Sequence, residues 1–498
     1  MKEYSIKQLQ EMMDTGEITA KILVEQFLKR IKDIDKQGPK INAIIELNPD
    51  ALQIAENLDK ERKEQGARGL LHGIPIVIKD NIDTADKMMT TAGSLALDDH
   101  LAKYDAFIVQ KLRDAGAIIL GKANLSEWAN FRSRRSSSGW SSRGRQTKNP
   151  YVLDRSPCGS SSGSAVAVAA NLCVVAIGTE TDGSVICPSQ INGIVGIKPT
   201  FGLVSRSGII PIAHSQDIAG PMARTVQDAT ILLSVISGVD ENDKSTINTK
   251  EKIAKDYTEY LVKDGLNGAR IGVARNFFGF NKQVDELMEQ AITTMKELGA
   301  IIIDPTNLET IQELRDPEYE VLLYEFKNDL NEYLASHEVV NENRSMKDII
   351  EYNEKNREKI MPYFGQEHFI AAEEKGPLTD EKYLEALEKC KRISQVEGID
   401  KVITEHELDA IIAPSGGPAW TIDLLNGDRF SGGSSSAAAV SGYPSITVPL
   451  GYIHGLPVGI SFFSGAFQEP VLLKLAYAFE QKTKARKSPE FIPTLQLP

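Results

Sequence analysis

The 498-residue sequence contains no long hydrophobic run. No apolar stretch reaches the roughly 18 residues that a membrane-spanning helix requires, so we expect no membrane partner. No apolar segment follows a basic start at the N-terminus, which predicts that a secretory signal peptide is absent. Together the two absences predict a cytoplasmic location.

Cysteine is scarce, with four residues in the whole chain: Cys158, Cys173, Cys187 and Cys390. That number is too small for a disulfide scaffold in a chain of this length. No pair has the C-x-x-C spacing typical of zinc sites, so we expect no bound metal. We therefore predict reduced thiols, with Cys158 and Cys187 as small buried apolar fillers.

Basic residues are outnumbered by acidic ones, which gives a net charge of −13 and a pI near 5.3. Nucleic-acid-binding surfaces are usually basic, so this balance argues against a nucleic-acid partner. The hydrophobic content of 41% is ample for a large core, and length alone is compatible with two or three domains.

Short apolar runs alternate with helical patterns along the chain. Val24, Phe27, Leu28 and Ile31, for example, follow the spacing of an amphipathic helix. This alternation predicts an α/β fold with a mixed, mostly parallel central sheet and helices on both of its faces. The predicted strands are 41–46, 73–79, 117–120, 173–177, 270–275, 300–303, 410–414, 445–450 and 459–462.

Two loops of small residues stand out between residues 157 and 200. The first, Gly159 to Gly163, holds three consecutive serines, and the second runs from Gly178 to Ser184. The runs AVAVAA and CVVAI lie between them and predict a short buried helix followed by a strand. This arrangement can bring two serines together, and serine hydroxyls can act as nucleophile or proton relay.

The first loop has two other interpretations. Gly/Ser-rich segments are usually flexible linkers, but a linker is not interrupted by runs that fit only a core. The loop also matches G-x-S-x-G, the nucleophile elbow, which would make Ser161 the nucleophile. That motif needs a buried strand directly before it, and Pro150 and Pro157 do not fit a central strand.

A serine nucleophile needs a base, and the sequence offers two kinds. None of the seven histidines lies in a recognisable triad context, and we interpret His72 as structural. Lys79 ends the apolar run IPIVIK, where burial would disfavour its charged form. The residues alone leave open whether the base is Lys79 or a histidine brought in by folding.

A long polar loop precedes the serine-rich stretch. Residues 127–150 contain five arginines and two tryptophans. Long polar loops in compact domains are often functional, so this one is interpreted either as one wall of a substrate cleft or as solvated surface.

The chain resembles the amidase signature family. The resemblance covers about residues 5–235 and 408–485, and it implies one amidase signature domain over 1–498. It also implies that 240–405 is a variable, mostly helical insertion that forms part of the substrate entrance. The motifs that carry it are LHGIPIVIKDNI at 71–82, PCGSSSGSA at 157–165, GTETDGSVICP at 178–188 and GIKPT at 196–200.

The resemblance implies a Ser–cisSer–Lys triad that works through an acyl-enzyme, with no metal and no organic cofactor. Carried over by position, Ser184 is the nucleophile, Ser160 the relay serine on a cis peptide bond, and Lys79 the base. The other implied site residues are Thr181, Asp182 and Gly183, whose N–H groups form the oxyanion hole with that of Ser184, and Gly159 and Ser161 in support.

Two departures from the family pattern bear on the substrate. Asp182 replaces a glycine of T-G-G-S, and Ile186 stands where glutamine-using amidotransferase subunits usually carry arginine. The form found here is similar to bacterial peptide amidases, which remove the C-terminal amide from peptide amides. We therefore predict a monomeric or homodimeric amidase for small-molecule or short-peptide carboxamides, with a broader primary-amide hydrolase as a close alternative.

Three further hypotheses remain open. The chain could be the glutamine-hydrolysing subunit of a tRNA-dependent amidotransferase, or a catalytically inactive scaffold with the same fold. It could also be an esterase that uses Ser161, in which case Ser161→Ala and not Ser184→Ala would abolish activity.

Overall fold

The computed structural model describes residues 1–336 and 344–495, so residues 337–343 of the expected insertion and the last three residues lie outside it. Within the described residues, eleven strands form one central sheet and two more form a short hairpin. The strands are β1 (Ile44–Leu47), β2 (Pro75–Lys79), β3 (Ile118–Ala123), β4 (Trp140–Ser141), β5 (Arg145–Gln146), β6 (Val175–Glu180), β7 (Val195–Lys198), β8 (Ile218–Ala223), β9 (Arg270–Val273), β10 (Ile301–Ile303), β11 (Ala410–Pro414), β12 (Ser445–Ile453) and β13 (Leu456–Phe463).

The central sheet is mixed, with strand order β1-β3-β2-β6-β8-β7-β12-β13-β11-β9-β10. Neighbouring strands are parallel in two blocks, β3-β2-β6 and β11-β9-β10. The strands between these blocks pair antiparallel, as does β1 with β3. The predicted single α/β domain with a mixed central sheet is confirmed.

Helices flank the sheet, and no described helix is long and apolar enough to cross a membrane. The α-helices are α1 (Ile6–Asp14), α2 (Ala20–Arg30), α3 (Ala51–Gln65), α4 (Phe107–Asp114), α5 (Ser162–Ala169), α6 (Ile186–Ile191), α7 (Val226–Ile236), α8 (Lys244–Ile247), α9 (Lys282–Glu297), α10 (Arg315–Ser336), α11 (Met346–Lys355), α12 (Arg357–Ile360), α13 (Glu367–Glu373), α14 (Glu381–Lys391), α15 (Asp400–His406), α16 (Ser435–Ser441) and α17 (Glu469–Thr483).

The elements β2, α5 and β6 form the centre of the molecule. Both strands are buried along their whole length, as expected for strands that are covered on both faces. Every residue of α5 is also buried, and its small Ala, Val, Ser and Gly residues allow close packing against β2 and β6. Because β2 and β6 are parallel neighbours, Lys79 and Glu180 lie at the same edge of the sheet.

Strands β7 and β8 are not among the strands expected from the sequence. Their sequences, VGIK and IAGPMA, contain glycine or proline, and such residues normally argue against a central strand. Nevertheless Pro221 lies opposite Ile177 within the ladder of β6 and β8. Strand β1 also begins three residues later than the run of apolar residues indicates, and β3 ends three residues later.

The segment 240–405 contains helices α8 to α15 together with β9 and β10. Helix α10 packs against α13 and α14, and its Phe326 lies in an apolar cluster with Trp128 and Phe131. Arg132 strengthens the same contact, because its guanidinium pairs with Glu127 at 2.7 Å and donates to a carbonyl of α12 at 2.8 Å. The helical segment therefore packs against the polar loop 127–150.

The expectation that all cysteines are reduced is wrong for one pair. Cys158 and Cys187 form a disulfide, with their Cα atoms 6.1 Å apart. They are 29 residues apart in sequence, and only the fold of the two serine-bearing loops brings them together. Cys173 and Cys390 are free thiols buried in the core, as small apolar residues would be.

Candidate active site

Lys79 is the last residue of β2, and its side chain is 0% exposed. Its Nζ donates to Ser160 Oγ at 2.7 Å, to Thr179 Oγ1 at 2.8 Å and to the Thr179 carbonyl at 3.1 Å. Among the described residues, all hydrogen-bond partners of Nζ are thus uncharged oxygens. A serine hydroxyl can donate as well as accept, so the contact with Ser160 suits both the charged and the neutral amine.

Burial lowers the pKa of Lys79 to about 7, because removal from water disfavours its ammonium form. The charges of Asp217 and Glu180 oppose this shift. The Asp217 carboxylate is engaged elsewhere, since it accepts from Thr181 Oγ1 at 2.6 Å and from two backbone N–H groups. Lys79 therefore has a large neutral fraction at neutral pH.

Ser160 follows Gly159 across a cis peptide bond, as expected from the family resemblance. Its side chain is buried, and its carbonyl accepts from the N–H of Ser126 at 3.1 Å. Gly159 is required here for space, because a Cβ at that position would lie 2.2 Å from Ser126 Oγ.

Ser184 lies in the turn between β6 and α6 and is 8% exposed. Its carbonyl accepts from the N–H of Ser161 at 3.1 Å, which ties the two serine-bearing loops together. Its hydroxyl has no hydrogen-bond partner in the part of the chain that the structure describes. This hydroxyl is therefore available to a ligand.

The turn before α6 has unused backbone donors. The N–H groups of Asp182, Gly183 and Ser184 find no acceptor within residues 1–336 and 344–495. By contrast, the next two N–H groups both donate to Glu180 Oε2, at 2.7 and 2.9 Å. Asp182 and Gly183 line a cleft, so their free donors lie where a ligand oxygen could accept from them.

Ser161 has a structural environment. Its buried hydroxyl donates to the Thr179 carbonyl at 3.0 Å and accepts from the Thr179 N–H at 3.2 Å. The residues directly before Gly159 do not form a strand of the central sheet. Both observations disfavour a nucleophile elbow centred on Ser161.

The cleft at the turn has two arms. One arm has a volume of 430 Å³ and contains Gly159, Asp182, Gly183 and the disulfide. The other has a volume of 520 Å³ and shares the lining residues Asp182 and Ser436 with the first. Apolar residues of the segment 240–405 line this second arm: Phe277, Phe278, Phe280, Ile311 and Leu314.

The polar loop 127–150 lines the first arm in part. Arg134 and Arg135 border the cleft, and both side chains are exposed. Trp128 and Trp140, in contrast, are buried core residues that contact Phe369 and Phe364. The loop therefore combines a cleft wall with a structural anchor.

His72 is structural, as expected from the sequence, since its buried ring contacts the Leu58 carbonyl at 3.0 Å.

Several residues of the site were not recognised in the sequence. Ser435 and Ser436, at the start of α16, donate to the two carboxylate oxygens of Asp182 at 2.6 and 2.5 Å. Their run, SGGSSSAAAV, repeats the small-residue composition of the first loop, which could have indicated a third loop at the site. Glu318 is half-buried and lines the cleft together with Asp182, and nothing in its glutamate-rich surroundings distinguished it.

One group of potential metal ligands occurs among the described residues. Ligand atoms of His214, Glu325 and Asp329 lie within 4.8 Å of one another. The His214 ring contacts Asp329 at 2.9 Å, while Glu325 accepts from Ser215 and Tyr383. These mutual and neighbouring hydrogen bonds account for the group without an ion.

The chain is similar to known proteins over nearly its whole length. The sequence model of the family described as Amidase matches residues 22–473. A probable amidase from Arabidopsis thaliana is 44% identical over 502 residues, which cover 99% of this chain and 92% of the relative.

Two further proteins cover nearly the whole chain. The solved structure of the native peptide amidase from Stenotrophomonas maltophilia is 48% identical, with a TM-score of 0.94, and the match covers 98% of this chain and 99% of that one. A glutamyl-tRNA(Gln) amidotransferase subunit from Thermoanaerobacter pseudethanolicus is 35% identical over 99% of both chains.

Proposed function

Because the chain belongs to the amidase family and is therefore an amide-hydrolysing enzyme, we propose that it removes the C-terminal amide from peptide amides through an acyl-enzyme on Ser184. Ser160 relays the proton, and Lys79 is the base. The observation that carries this assignment is the 2.7 Å contact between the buried Lys79 Nζ and Ser160 Oγ.

The first half of the reaction uses the neutral form of Lys79. Nζ takes the hydroxyl proton of Ser160 while Ser160 Oγ takes that of Ser184, and Ser184 Oγ attacks the amide carbonyl carbon. The carbonyl oxygen becomes an oxyanion that accepts from free N–H groups of the turn at Thr181, Asp182, Gly183 and Ser184. These donors need no rearrangement, because no acceptor within the described residues occupies them.

The second half returns the proton and releases the acid. Charged Lys79 gives its proton back through Ser160 to the leaving nitrogen, which departs as ammonia when the substrate is a primary amide. A water molecule then loses a proton by the same route and attacks the ester carbonyl of the acyl-enzyme. Cleavage of that ester frees the carboxylic acid and restores the Ser184 hydroxyl.

The substrate class rests on the relative and on the cleft. The Stenotrophomonas maltophilia protein is named a peptide amidase, and it matches this chain over nearly its whole length. Ammonia is a small leaving group, so a cleft with two arms offers far more room than the leaving side needs. We assign this room to the peptide on the acyl side, with the segment 240–405 forming part of the entrance.

Ammonia release from a substrate panel tests the proposal. The panel contains a dipeptide C-terminal amide, a simple aliphatic amide, a fatty amide and free glutamine. Each is incubated with the wild type, Ser184→Ala and Ser161→Ala. We expect selective turnover of the peptide amide, which Ser184→Ala abolishes, together with a wild-type acyl-enzyme visible by mass spectrometry after rapid quenching.

The variants separate the hypotheses for the nucleophile. Turnover that survives in Ser184→Ala but disappears in a folded Ser161→Ala would overturn the mechanism in favour of the esterase-like arrangement. Turnover of the aliphatic or fatty amide at the same kcat/KM as the peptide amide would replace the peptide assignment with a broader primary-amide hydrolase.

A glutamine-hydrolysing role within an amidotransferase is the second candidate, because the Thermoanaerobacter pseudethanolicus protein matches 99% of this chain. The sequence argues against this role, because Ile186 stands where amidotransferase subunits usually carry arginine. The glutamine arm of the panel decides between the two: turnover of free glutamine above that of the peptide amide would move the protein to this group.

A further inference from the structure

Asp182 lies in the turn that bears the proposed nucleophile, and its carboxylate is bound by two serine hydroxyls. Its two carboxylate oxygens accept separately from Ser435 Oγ at 2.6 Å and Ser436 Oγ at 2.5 Å. Hydrogen bonds to an ionised acceptor are shorter and stronger than neutral ones. The pair of contacts therefore fixes both the position and the orientation of this side chain.

The two serines are themselves held by the core. They begin helix α16, and the preceding Ser434 donates to the carbonyl of Pro414 at 2.9 Å, at the end of strand β11. Ser435 also packs directly on the turn, since a Cβ added to Gly183 would lie 2.8 Å from its hydroxyl. The turn is thus connected through Asp182 to a central strand of the sheet.

Other contacts hold the turn before, within and after the segment 182–184. Before it, Thr181 donates to Asp217 at 2.6 Å, and after it Glu180 accepts from the N–H groups of Val185 and Ile186. Between those anchors the three backbone donors are unused within the described residues. Within the segment, the Gly183 carbonyl accepts from the Cys187 N–H at 2.8 Å and the Ser184 carbonyl accepts from the Ser161 N–H at 3.1 Å. The Asp182 side chain adds a third anchor, toward α16.

We propose that Asp182 is a positioning residue that holds the N–H groups of 182–184 toward the substrate oxygen by accepting from Ser435 and Ser436. This inference rests on the proposed function, because it takes these donors as the oxyanion hole. The same role explains why aspartate stands at position 182 in place of the family's glycine, because a glycine has no side chain to reach α16. The carboxylate acts through the turn, because each of its oxygens accepts from a hydroxyl of α16.

The experiment compares four variants with the wild type on the best peptide amide of the panel. Asp182→Ala removes the acceptor, Ser435→Ala/Ser436→Ala removes both donors, and Asp182→Asn keeps an acceptor of the same shape. Ser431→Ala is the matched control, because it removes an exposed hydroxyl from the same run that has no hydrogen-bond partner among the described residues.

Misplaced oxyanion donors weaken transition-state binding more than ground-state binding. We expect kcat to fall about tenfold to a hundredfold in Asp182→Ala and in the serine pair, with KM changed less than about threefold. Asp182→Asn should recover part of the loss, and Ser431→Ala should resemble the wild type. Combining Asp182→Ala with the serine pair should cost little more than either alone, because both break one connection.

A second readout separates positioning from a general loss of structure. A peptide aldehyde forms a hemiacetal with Ser184 and places its oxygen in the oxyanion hole, whereas the matching peptide alcohol binds without reacting. We expect the Ki of the aldehyde to rise with the fall in kcat/KM, while the Ki of the alcohol stays constant.

The outcomes distinguish this role from the proposed function. Wild-type turnover that Ser184→Ala abolishes but Asp182→Ala and the serine pair both retain would overturn only the positioning role. Equal rises in both Ki values, or an equal loss in Ser431→Ala, would overturn it as well. Failure of the wild type to hydrolyse any amide would instead overturn the proposed function.

Discussion

Lowering the pH from 8 to 5 is expected to reduce kcat/KM by about a hundredfold, since the proposed base must be neutral to accept a proton. The pKa of the buried Lys79 is about 7, so most of the lysine is neutral at pH 8. Only about one molecule in a hundred carries the neutral amine at pH 5. Below pH 7 the rate should therefore fall about tenfold for each pH unit.

The magnitude follows from the environment of Lys79. Burial lowers its pKa from 10.5 to about 7, a shift that corresponds to about 5 kcal/mol of differential stabilisation of the neutral form. An unshifted lysine would be neutral in about one molecule in 3,000 at pH 7. The shift thus raises the concentration of the active base by about a thousandfold at neutral pH.

The acid limb of the pH–rate profile is measured as ammonia release from pH 5 to 8, at substrate concentrations far below KM. Asp217→Asn is the informative variant, because the charge of Asp217 raises the pKa of Lys79. We expect its acid limb to keep the same slope and move to lower pH. Circular dichroism at pH 5 verifies that the enzyme stays folded. A flat profile down to pH 5, or an Asp217→Asn midpoint that moves upward, would refute the assignment of Lys79 as the base.

Three more predictions concern the same region. Burial and the charge of Asp182 raise the pKa of Glu318 to about 8, so its ionisation should lower kcat/KM above pH 8, and Glu318→Gln should abolish this alkaline fall in a pH–rate profile. Replacing Cys158 and Cys187 together with alanine should cost about 3.5 kcal/mol by the loop-entropy estimate for 29 residues, or about 3 °C in Tm by calorimetry; an unchanged Tm would contradict this. Lys79→Met should raise Tm at pH 7, because the folded state penalises the charged lysine, and the gain should vanish as the pH approaches 10.5, where the unfolded lysine is neutral too.

The sequence predicted those parts of the fold whose residues have uniform local preferences. Strand β2 and helix α5 are apolar or small throughout, so burial and local pattern agree. Strand β8 was not predicted, because IAGPMA combines residues that usually end a strand, and only its neighbours β6 and β7 pair it into the sheet. Whether such a segment becomes a strand depends on its pairing with distant segments. The periodicity of its own residues carries no information about that pairing.

The same distinction applies to the site. The positions of Lys79, Ser160 and Ser184 follow from motifs that lie within short segments of the sequence. The disulfide joins residues 29 apart, and the hydroxyl partners of Asp182 lie more than 250 residues away from it. Contacts of this range depend on the arrangement of whole strands and helices, which is why the sequence predicted the proposed reacting groups but not the residues that hold them.

The carboxylates around Lys79 show why these supporting residues matter for the proposed chemistry. Glu180 is buried near the turn, and Asp182 and Asp217 are half-buried there. An ion pair with any of them would raise the pKa of the lysine and remove the base. Each instead accepts from hydroxyl or backbone donors of the turn and its neighbours. The contacts that order the turn therefore also keep the carboxylates away from Nζ, so one set of hydrogen bonds supports both the oxyanion donors and the neutral lysine.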